Sequence, residues 1–419
     1  MAANGPADFS GPGYSITSGP ALPAGTYQLS ATGGPSGYQA SDWVCFGGNQ
    51  VDGDTIALAE GEVASCTVTH DDVAPTLTVL KNIVNDNGGP VTDPNEFELN
   101  IYGFPATHGV AQTVDFGSHT AGEKGKLGYT KRHWTGDCSA DGSITLALGQ
   151  DATCTITNDD IPPRLTVINT VTNDTGGTVT DPNAFGLRVD NALIPHNTPT
   201  AVAAGMRTLT EDGLFGYGRS LWGADCAPDG DITLAPGDEA TCTVTHDDIE
   251  PGLILTVQVF NDNGGTASGA AWTLSASGPA GFSGSGPAVS NGDNFLAGSY
   301  DLSTSGGASG YATGDWSCSG GSQLDGDMVV LAPGESATCT LTANDIAPVL
   351  TLVKAVVNDD GGTASPSAWS LFAGGATSFS GLGPSVTSNA SFDIGTYDLT
   401  QSTGPSGYQA SDWSCTGGN

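Results

Sequence analysis

Apolar residues alternate with polar β-formers in short runs along the chain, and such runs predict strands with one buried face. The stretch CTITNDDIPPRLTVINTVTNDTGG at residues 154–177 shows the full pattern: a strand, an acidic segment with two prolines, a second strand and a glycine turn. Pro162 and Pro163 cannot donate to a sheet, so the acidic segment is predicted to be a linker. No stretch has a 3.6-residue period, and we expect almost no helix.

The same junction recurs at residues 66–89, 242–265 and 339–362. Its equivalent leucines, at positions 77, 165, 253 and 350, are 88, 88 and 97 residues apart, which suits β-sandwich domains of about 100 residues. The predicted repeats are residues 1–74, 75–162, 163–250, 251–347 and 348–419. The first begins late and the last stops before its closing strands. We therefore expect a chain cut from a longer tandem array, whose bare strand edges favour end-to-end self-association.

Composition indicates that each repeat has a thin core. Only 37% of the residues are hydrophobic and 62 are glycine, so a covalent or metal cross-link is expected in each domain. The cysteines fall into pairs 21 or 16 residues apart, which predicts one disulfide per complete pair and leaves Cys415 over. Free buried cysteines are the alternative. The predicted disulfides are Cys45–Cys66, Cys138–Cys154, Cys226–Cys242 and Cys318–Cys339.

The net charge of −35 argues against binding to nucleic acid or to an anionic membrane. Nine of the ten basic residues lie between Lys81 and Arg219. No run of about 18 apolar residues predicts a membrane span, and residues 1–13 do not form a signal peptide. If the disulfides form, the protein is extracellular or on the cell surface, and its export signal lies on a longer parent protein.

An aromatic pair marks every repeat, because a tyrosine stands five residues before a tryptophan in each of them. These pairs are Tyr38/Trp43, Tyr129/Trp134, Tyr217/Trp222, Tyr311/Trp316 and Tyr408/Trp413. We interpret the rings as the core of each sandwich, packed beside the disulfide. Aromatic platforms for sugar rings are the functional alternative.

The sequence GTYDLTQSTGPSGY at residues 395–408 follows the pattern G-x-Y-x-L-x-E and then P-x-G-Y, with glutamine in the place of glutamate. Residues 25–38 and 298–311 follow it in part. In these motifs the chain resembles the prealbumin-like domains, of Cna-B or SpaA type, found in bacterial surface adhesins and pilins. The resemblance implies an all-β tandem array of transthyretin- or immunoglobulin-like β-sandwiches, displayed on a cell surface as a stalk or adhesive.

Many members of that family form an internal isopeptide bond, in which a first-strand lysine attacks a last-strand asparagine or aspartate with the help of a buried glutamate. Aligned to that scheme, no repeat carries all three groups, so we expect disulfides to replace the bond and Lys81 and Lys354 to have exposed ammonium groups. The aligned residues are Ala31 and His70 in the first repeat; Lys81, Gly128 and Asn158 in the second; Asn169, Glu211 and His246 in the third; Val257, Thr304 and Ala343 in the fourth; and Lys354 and Gln401 in the fifth.

The strongest candidate for ligand binding is a Ca²⁺ site at the end of each complete repeat. First and last strands that end at the same pole would bring carboxylate and amide oxygens together, and Ca²⁺ takes 6–8 oxygen ligands. The alternative is that Asn-Asp-Asn-Gly-Gly is only a turn and Asp-Asp only a solvated linker. The candidate ligands are Asn85, Asp86, Asn87, Asp159 and Asp160; Asn173, Asp174, Asp247 and Asp248; and Asn261, Asp262, Asn263, Asn344 and Asp345.

Signals for catalysis are poor. The chain has no G-x-S-x-G, H-E-x-x-H or P-loop motif, and its six histidines are scattered. We therefore predict a non-enzymatic structural or adhesive array. Two other hypotheses remain: an array of modules that bind an unknown surface glycan or protein, and an accessory region of a large secreted enzyme. An exposed aromatic patch shared by several repeats would favour the binding array.

Overall fold

The computed structural model describes residues 1–418, and its secondary structure is β-strand with four short 3-10 helices. This confirms the predicted all-β tandem array with almost no helix. The chain packs into two compact units. One comprises residues 1–167, 197–209 and 224–242, and the other comprises the rest, so the third repeat contributes to both.

The first repeat has nine strands in the described part of the chain. They are β1 (Ala2–Asn4), β2 (Phe9–Ser10), β3 (Gly25–Ser30), β4 (Tyr38–Ala40), β5 (Val44–Phe46), β6 (Asn49–Gln50), β7 (Thr55–Leu58), β8 (Ser65–Thr67) and β9 (His70–Asp72). One sheet has the order β2-β1-β3-β7-β6, while β4 pairs with β9 and β5 with β8. Tyr27 and Trp43 are the large side chains of its core.

The second repeat shows the complete sandwich. Its elements are β10 (Thr76–Val84), η1 (Pro94–Phe97), β11 (Leu99–Ile101), β12 (Phe104–Pro105), β13 (Ala111–Thr113), β14 (Gly117–Glu123), β15 (Tyr129–Lys131), β16 (Thr135–Gly136), β17 (Ser143–Leu146) and β18 (Asp151–Asp160). One sheet has the order β13-β10-β18-β15, with β16 also on β18, and another has the order β12-β11-β14-β17. Alternate residues of β10 and β18, including Leu77 and Ile156, point into the core beside Trp134.

The opening and closing strands of this repeat are parallel neighbours. The register runs from Thr76 opposite Asp151 to Val84 opposite Asp159, nine residue pairs in all. Because both strands run in the same direction, their carboxyl ends meet at one end of the repeat, and the turn that follows β10 lies beside the end of β18. The candidate ligand residues sit at that meeting point.

The third repeat contains β19 (Arg164–Thr172), η2 (Pro182–Phe185), β20 (Arg188–Val189), β21 (Ala192–Leu193), β22 (Thr200–Ala201), β23 (Gly205–Thr210), β24 (Tyr217–Arg219), β25 (Gly223–Ala224), β26 (Asp231–Leu234) and β27 (Glu239–Asp248). Four antiparallel pairings match those of the second repeat: β19 with β22, β20 with β21, β23 with β26, and β24 with β27.

The fourth repeat contains β28 (Gly252–Phe260), η3 (Gly269–Ala271), β29 (Trp272–Ser277), β30 (Phe282–Ser285), β31 (Ala288–Ser290), β32 (Gly298–Gly306), β33 (Tyr311–Ser319), β34 (Ser322–Gln323), β35 (Met328–Leu331) and β36 (Ser336–Asp345). Its sheets have the orders β31-β28-β36-β33 and β30-β29-β32-β35-β34. Here too the opening strand β28 and the closing strand β36 are parallel over nine residue pairs.

The fifth repeat contains β37 (Thr351–Val353), η4 (Pro366–Ala368), β38 (Ser370–Gly374), β39 (Phe379–Leu382), β40 (Ser385–Thr387) and β41 (Asp398–Gln401). Its opening strand β37 has three residues, where β10 and β28 have nine each. Within residues 348–418, no closing strand lies beside β37, which explains the shorter strand, because a strand is defined by its paired neighbour.

Four disulfides join the pairs that the cysteine spacing predicted: Cys45–Cys66, Cys138–Cys154, Cys226–Cys242 and Cys318–Cys339. Cys415 is free and exposed. In the four repeats that have a disulfide, the tryptophan of the predicted aromatic pair is buried, as core packing requires. These are Trp43, Trp134, Trp222 and Trp316. Trp413 in the fifth repeat is 37% exposed.

Candidate functional site

The centre of the second repeat holds three polar side chains in an otherwise apolar core. Lys81 lies on β10, Asn158 on its neighbour β18 and Glu123 at the end of β14. The Lys81 Nζ is 2.5 Å from the Glu123 Oε2 and 3.9 Å from the centroid of the Phe97 ring. Lys81 and Asn158 are 3% and 1% exposed, so the cluster is sealed from water.

Burial sets the chemistry of this cluster. Desolvation lowers the pKa of Lys81, although Glu123 acts in the opposite direction. The Asn158 amide nitrogen and oxygen have no hydrogen-bond partner within residues 1–418. A lysine whose pKa is lowered by burial, a carboxyl group in contact with it and a carboxamide without a hydrogen-bond partner are the three groups that intramolecular amide formation needs.

This geometry corrects two predictions about the second repeat. Glu123, and not Gly128, fills the carboxyl position, so this repeat does carry all three groups. Lys81 is buried, whereas an exposed ammonium was predicted. The missed signal was register: Glu123 stands six residues before Tyr129, as Glu211 stands six residues before Tyr217.

The third repeat places other residues at the same centre. The His246 Nδ1 lies 2.8 Å from the Asn169 Oδ1, and its Nε2 is in contact with the Glu211 carboxylate. Because the Asn169 Nδ2 donates to the Pro182 carbonyl, its oxygen faces the histidine, and Nδ1 must be the donor. His246 is 1% exposed and stacks on Phe185 at 3.9 Å. Burial lowers the pKa of His246, while Glu211 acts to raise it.

The fourth and fifth repeats differ again. In the fourth, Val257 and Ala343 are buried in the apolar core, so the centre has no lysine and no amide. In the fifth, the Lys354 Nζ donates to the Gln401 Oε1 at 2.9 Å and lies 4.8 Å from the Trp369 ring centroid. Lys354 is half-buried, which corrects the predicted exposed ammonium.

A second constellation lies where the parallel strands end. The Asp160 carboxylate accepts backbone hydrogen bonds from Asn87 at 3.1 Å and Gly89 at 2.6 Å, so it anchors the turn after β10. Asp248 binds the backbone nitrogens of Thr175 and Gly177 in the same way. Asp345 does so with Asn263 and Gly265 in the fourth repeat. All three carboxylates are buried.

The hydrogen bonds decide the ionisation of Asp248. Desolvation acts to raise its pKa, but the backbone donors of Gly177 and Thr175 outweigh it, and the pKa is lowered. The pKa of Asp345 is lowered in the same way: desolvation acts to raise it, but the backbone donors of Gly265 and Asn263 outweigh that effect. The predicted ligands Asp248 and Asp345 are therefore committed to the turn as ionised acceptors, and Asp160 accepts the equivalent backbone hydrogen bonds.

The first asparagine of each turn has a structural role that the sequence interpretation missed. The Tyr129 hydroxyl donates to the Asn85 Oδ1 at 2.8 Å, and the Asn85 Nδ2 donates to the Val91 carbonyl at 2.7 Å. Tyr217 and Asn173 form the same bond at 2.5 Å, and Tyr311 and Asn261 are bonded likewise. Asn85, Asn173 and Asn261 thus hold the turn against the tyrosine, and both ends of their amides are occupied.

Two of the three predicted ligand sets bring three carboxyl groups together. Asp86, Asp159 and Asp160 can each present an oxygen within 4.8 Å of the others, and so can Asp174, Asp247 and Asp248. The sets differ in charge balance, because Arg132 binds Asp159 at 2.5 Å in the second repeat. The pKa of Asp174 is raised, mainly by the negative charge of Asp247 and next by desolvation, as expected for carboxylates that lie close together.

The fourth-repeat set is less acidic. Its carboxyl groups are Asp262 and Asp345. The Asn263 Nδ2 donates to the Ala390 carbonyl at 3.1 Å, and Asn344 lies within the β36 ladder, opposite Phe260.

Each of these turns also contacts the following repeat. The Ala204 nitrogen donates to the Asn87 carbonyl at 2.7 Å, and the Ala297 nitrogen donates to the Thr175 carbonyl at 2.7 Å. The Ile394 nitrogen donates to the Asn263 carbonyl at 2.9 Å. The same turn position is therefore the acceptor at three successive junctions.

The sequence matches a family described as a prealbumin-like fold domain, five times in tandem. The matched residues are 1–68, 72–156, 160–244, 248–341 and 345–419. The chain belongs to that family. None of the curated proteins matches this prealbumin-like array. Within residues 1–418, no helix is long and apolar enough to cross a membrane.

Three solved structures are similar to the array at low identity. The Bacillus anthracis TIE protein has 11% identity and a TM-score of 0.40, over 77% of this chain and 68% of that one. The pilus adhesin SpaC from Lactobacillus rhamnosus GG has 13% identity and a TM-score of 0.23, over 77% of this chain and 56% of that one. Two B repeat units of the collagen-binding protein Cna of Staphylococcus aureus have 11% identity and a TM-score of 0.18, over 80% and 95%.

Proposed function

We propose that this prealbumin-like array is a non-enzymatic, extracellular structural or adhesive protein, serving as the stalk or fibre of a bacterial surface protein. The observation that carries the proposal is the parallel pairing of opening and closing strands in the second and fourth repeats. Tension enters a repeat through one of these strands and leaves through the other. It must shear nine paired residues together, because parallel neighbours pulled from opposite ends cannot be unzipped one bond at a time.

The buried cluster adds a covalent element to this role. We infer that the neutral Lys81 Nζ attacks the Asn158 Cγ and forms an amide, while the bond from Cγ to the amide nitrogen breaks and ammonia leaves. Glu123 takes the proton from the lysine and passes it to the departing nitrogen. The family resemblance implies this reaction, and the contact of Lys81 with Glu123 and the burial of Asn158 support it.

Force spectroscopy of the whole chain tests the mechanical role. A Lys81–Asn158 bond would carry the load past the second repeat, so this repeat should not lengthen at any force that leaves covalent bonds intact. In the Glu123→Gln variant, unfolding of the second repeat should lengthen the chain by about 200 Å. This is the extended length of residues 82–157 without the loop that the Cys138–Cys154 disulfide closes. Unfolding of the fourth repeat at the lowest forces the instrument resolves would contradict the mechanical proposal, whatever the second repeat does.

We also propose that Ca²⁺ stiffens the junctions. The acidic trios at the ends of the second and third repeats support this proposal, as does the Asp159 Oδ1, which is buried without a protein partner in the described chain. Carboxylate oxygens in a flexible cluster suit Ca²⁺. Asp160 and Asp248 would serve it only with the lone pairs that the turn leaves free.

The test compares melting temperature and small-angle scattering with Ca²⁺ and with a chelator. A ligand at a hundredfold excess over its Kd stabilises the folded state by about 2.7 kcal/mol. The double variant Asp174→Asn and Asp247→Asn should remove the response of the third-repeat trio and leave its domains folded. An unchanged melting temperature and maximum dimension in the wild type would show that the acids are only solvated.

We also propose that copies of the chain associate end to end through the free edges of the first and fifth repeats. Light scattering tests this by measuring the molar mass of the whole chain and of a fragment with residues 75–347. If both proteins are monomeric at high concentration, the proposal is contradicted. For the alternative of a glycan- or protein-binding array, the specific observation is the pair of exposed aromatic side chains Tyr102 and Phe104, which lie in the second repeat alone among the aligned second and third repeats.

A further inference from the structure

The hairpin between β11 and β12 of the second repeat has an unusual residue at its tip. Ile101 pairs with Phe104, which leaves Tyr102 and Gly103 as the two turn residues, with φ of 52° and 86°. Such two-residue turns favour asparagine, aspartate and glycine, because both positions need positive φ. The third repeat meets that rule with Asp190 and Asn191. The second repeat places a bulky aromatic residue there, at a conformational cost.

This cost exposes aromatic surface. Tyr102 is 70% exposed and Phe104 is 72% exposed, and the Tyr102 hydroxyl has no hydrogen bond within residues 1–418. The third repeat has Asp190 and Ala192 at these two positions, so its fold does without the rings. Residues with a strained backbone cluster at functional sites.

The two rings line a groove of about 460 Å³ between the outer strands β12 and β13. Its lining also includes the polar residues Gln112, Asp115 and His119, and the Gln112 Nε2 donates to the Pro105 carbonyl at 3.2 Å. His119 is held in place by its Nε2, 2.7 Å from the Asp115 carbonyl, while the Asp115 carboxylate makes no hydrogen bond or ion pair within residues 1–418. The groove therefore combines aromatic faces with hydrogen-bonding groups.

We propose that this groove binds a neutral carbohydrate. The apolar C–H face of a pyranose ring packs on Tyr102 and Phe104, while its hydroxyl groups donate to the Asp115 carboxylate and reach Gln112 and His119. An uncommitted carboxylate accepts two neighbouring hydroxyl groups but repels an acidic sugar, as does the net charge of −35.

A peptide strand is disfavoured as the occupant by the edge itself. An extended peptide would add to β12 through backbone hydrogen bonds, but β12 has two residues, and Pro105 has no N–H to donate. Side-chain groups, and not a backbone ladder, are what the groove offers. This matches a ligand that carries hydroxyl groups around a ring.

The experiment uses the whole chain and four neutral oligosaccharides as probes: cellotetraose, maltotetraose, chitotetraose and mannotetraose. Saturation-transfer NMR detects weak binding, and titration calorimetry gives the affinity. The double variant Tyr102→Asp and Phe104→Ala converts both positions to the residues of the third repeat. It should keep its melting temperature and weaken the binding of any positive probe at least tenfold. Phe116→Ala is the matched control, since Phe116 is 69% exposed, lies outside the groove and has Ala204 as its third-repeat counterpart.

Binding of at least one probe that the double variant loses and Phe116→Ala retains would support the proposal. No binding of any probe up to about 10 mM would overturn it, because weaker contact lies within non-specific association. Equal affinity of the wild type and the double variant would also overturn it. Binding of a proline-rich peptide by the same rings, without any saccharide, would assign the groove to a protein partner instead.

Discussion

The second and third repeats place different side chains at the same central positions of one strand framework. Lys81, Glu123 and Asn158 in the second become Asn169, Glu211 and His246 in the third. Both sets are buried beside an equivalent phenylalanine, and each repeat keeps a disulfide. The glutamate is therefore compatible with two chemistries. With lysine and asparagine it can assist amide formation, whereas with histidine and asparagine it closes a non-covalent network.

The largest expected effect is the loss of the cross-link in the second repeat. Mass spectrometry of the wild type should show a Lys81–Asn158 peptide pair lighter by about 17 Da, the ammonia that leaves. Glu123→Gln should restore the full mass, because the amide cannot shuttle the proton. It should also lower stability by about 4 kcal/mol, by analogy with a disulfide that closes a loop of this length. Glu98→Gln is the control, since Glu98 pairs with Lys124 on the surface and should change stability by under about 1 kcal/mol.

Transfer of the chemistry to the third repeat is the converse test. Asn169→Lys with His246→Asn recreates the second-repeat set around Glu211, and the same loss of about 17 Da should appear there. The gain in stability should be smaller than the loss of stability caused by Glu123→Gln, because the new lysine must fit a centre that is shaped around histidine. Adding Glu211→Gln to this variant should abolish the bond. A cross-link that still forms would mean that the carboxyl group is dispensable in both repeats.

Removal of the histidine alone should destabilise the third repeat by about 2–4 kcal/mol. His246→Ala leaves the Asn169 amide oxygen buried without its partner and Glu211 with Arg219 alone. It also takes away the ring stacked on Phe185. Chemical denaturation of the whole chain, followed by the signal of the third repeat, measures the change. Ala343→Gly in the apolar centre of the fourth repeat is the comparison, and it should cost about 1 kcal/mol, because no polar group is left unpaired.

The anchoring carboxylate at the repeat end should give a smaller, pH-dependent effect. Asp248 has a folded-state pKa below its ordinary value of 3.8, so its stabilisation is complete above that value and is lost as the pH falls through the folded pKa. At neutral pH, Asp248→Asn should cost about 1–3 kcal/mol. Below pH 4, the melting temperature should depend less on pH in this variant than in the wild type. A variant that loses stability in acid as steeply as the wild type would contradict this role of Asp248.

The smallest effect concerns Ca²⁺ at the two acidic trios. Arg132 competes with a cation for Asp159, and no ion pair to Asp247 is seen in the described chain, so the third-repeat trio should bind Ca²⁺ more tightly. Arg132→Gln should narrow that gap by up to about tenfold in Kd, equivalent to 1.4 kcal/mol. Calorimetric titration of the variant beside the wild type measures it. If Arg132→Gln has the same Ca²⁺ affinity as the wild type, Ca²⁺ does not bind at the second-repeat trio.

The sequence predicted the architecture well, because the signals for it are local and repeated. Alternating apolar residues, paired cysteines and the recurring junction each specify a feature of one strand or one turn. The buried centre was not predicted, because it depends on register. One residue fewer between Glu123 and Tyr129 than between Gln401 and Tyr408 moves the glutamate away from its expected place in the motif.

The tandem all-β organisation, the cysteine pairs and the acidic surface follow from the order of residues along the chain. The roles of individual polar residues depend on how the strands pack together. Lys81 and Asp248 belong to residue types that are usually exposed, and they are buried because strands distant in sequence supply their partners. Tyr102 is the reverse case, an aromatic residue that a turn holds in water. Strand patterns are set within a few residues, whereas burial is set by contacts about 40–80 residues apart in this chain, as between Lys81 and Glu123 or Thr175 and Asp248.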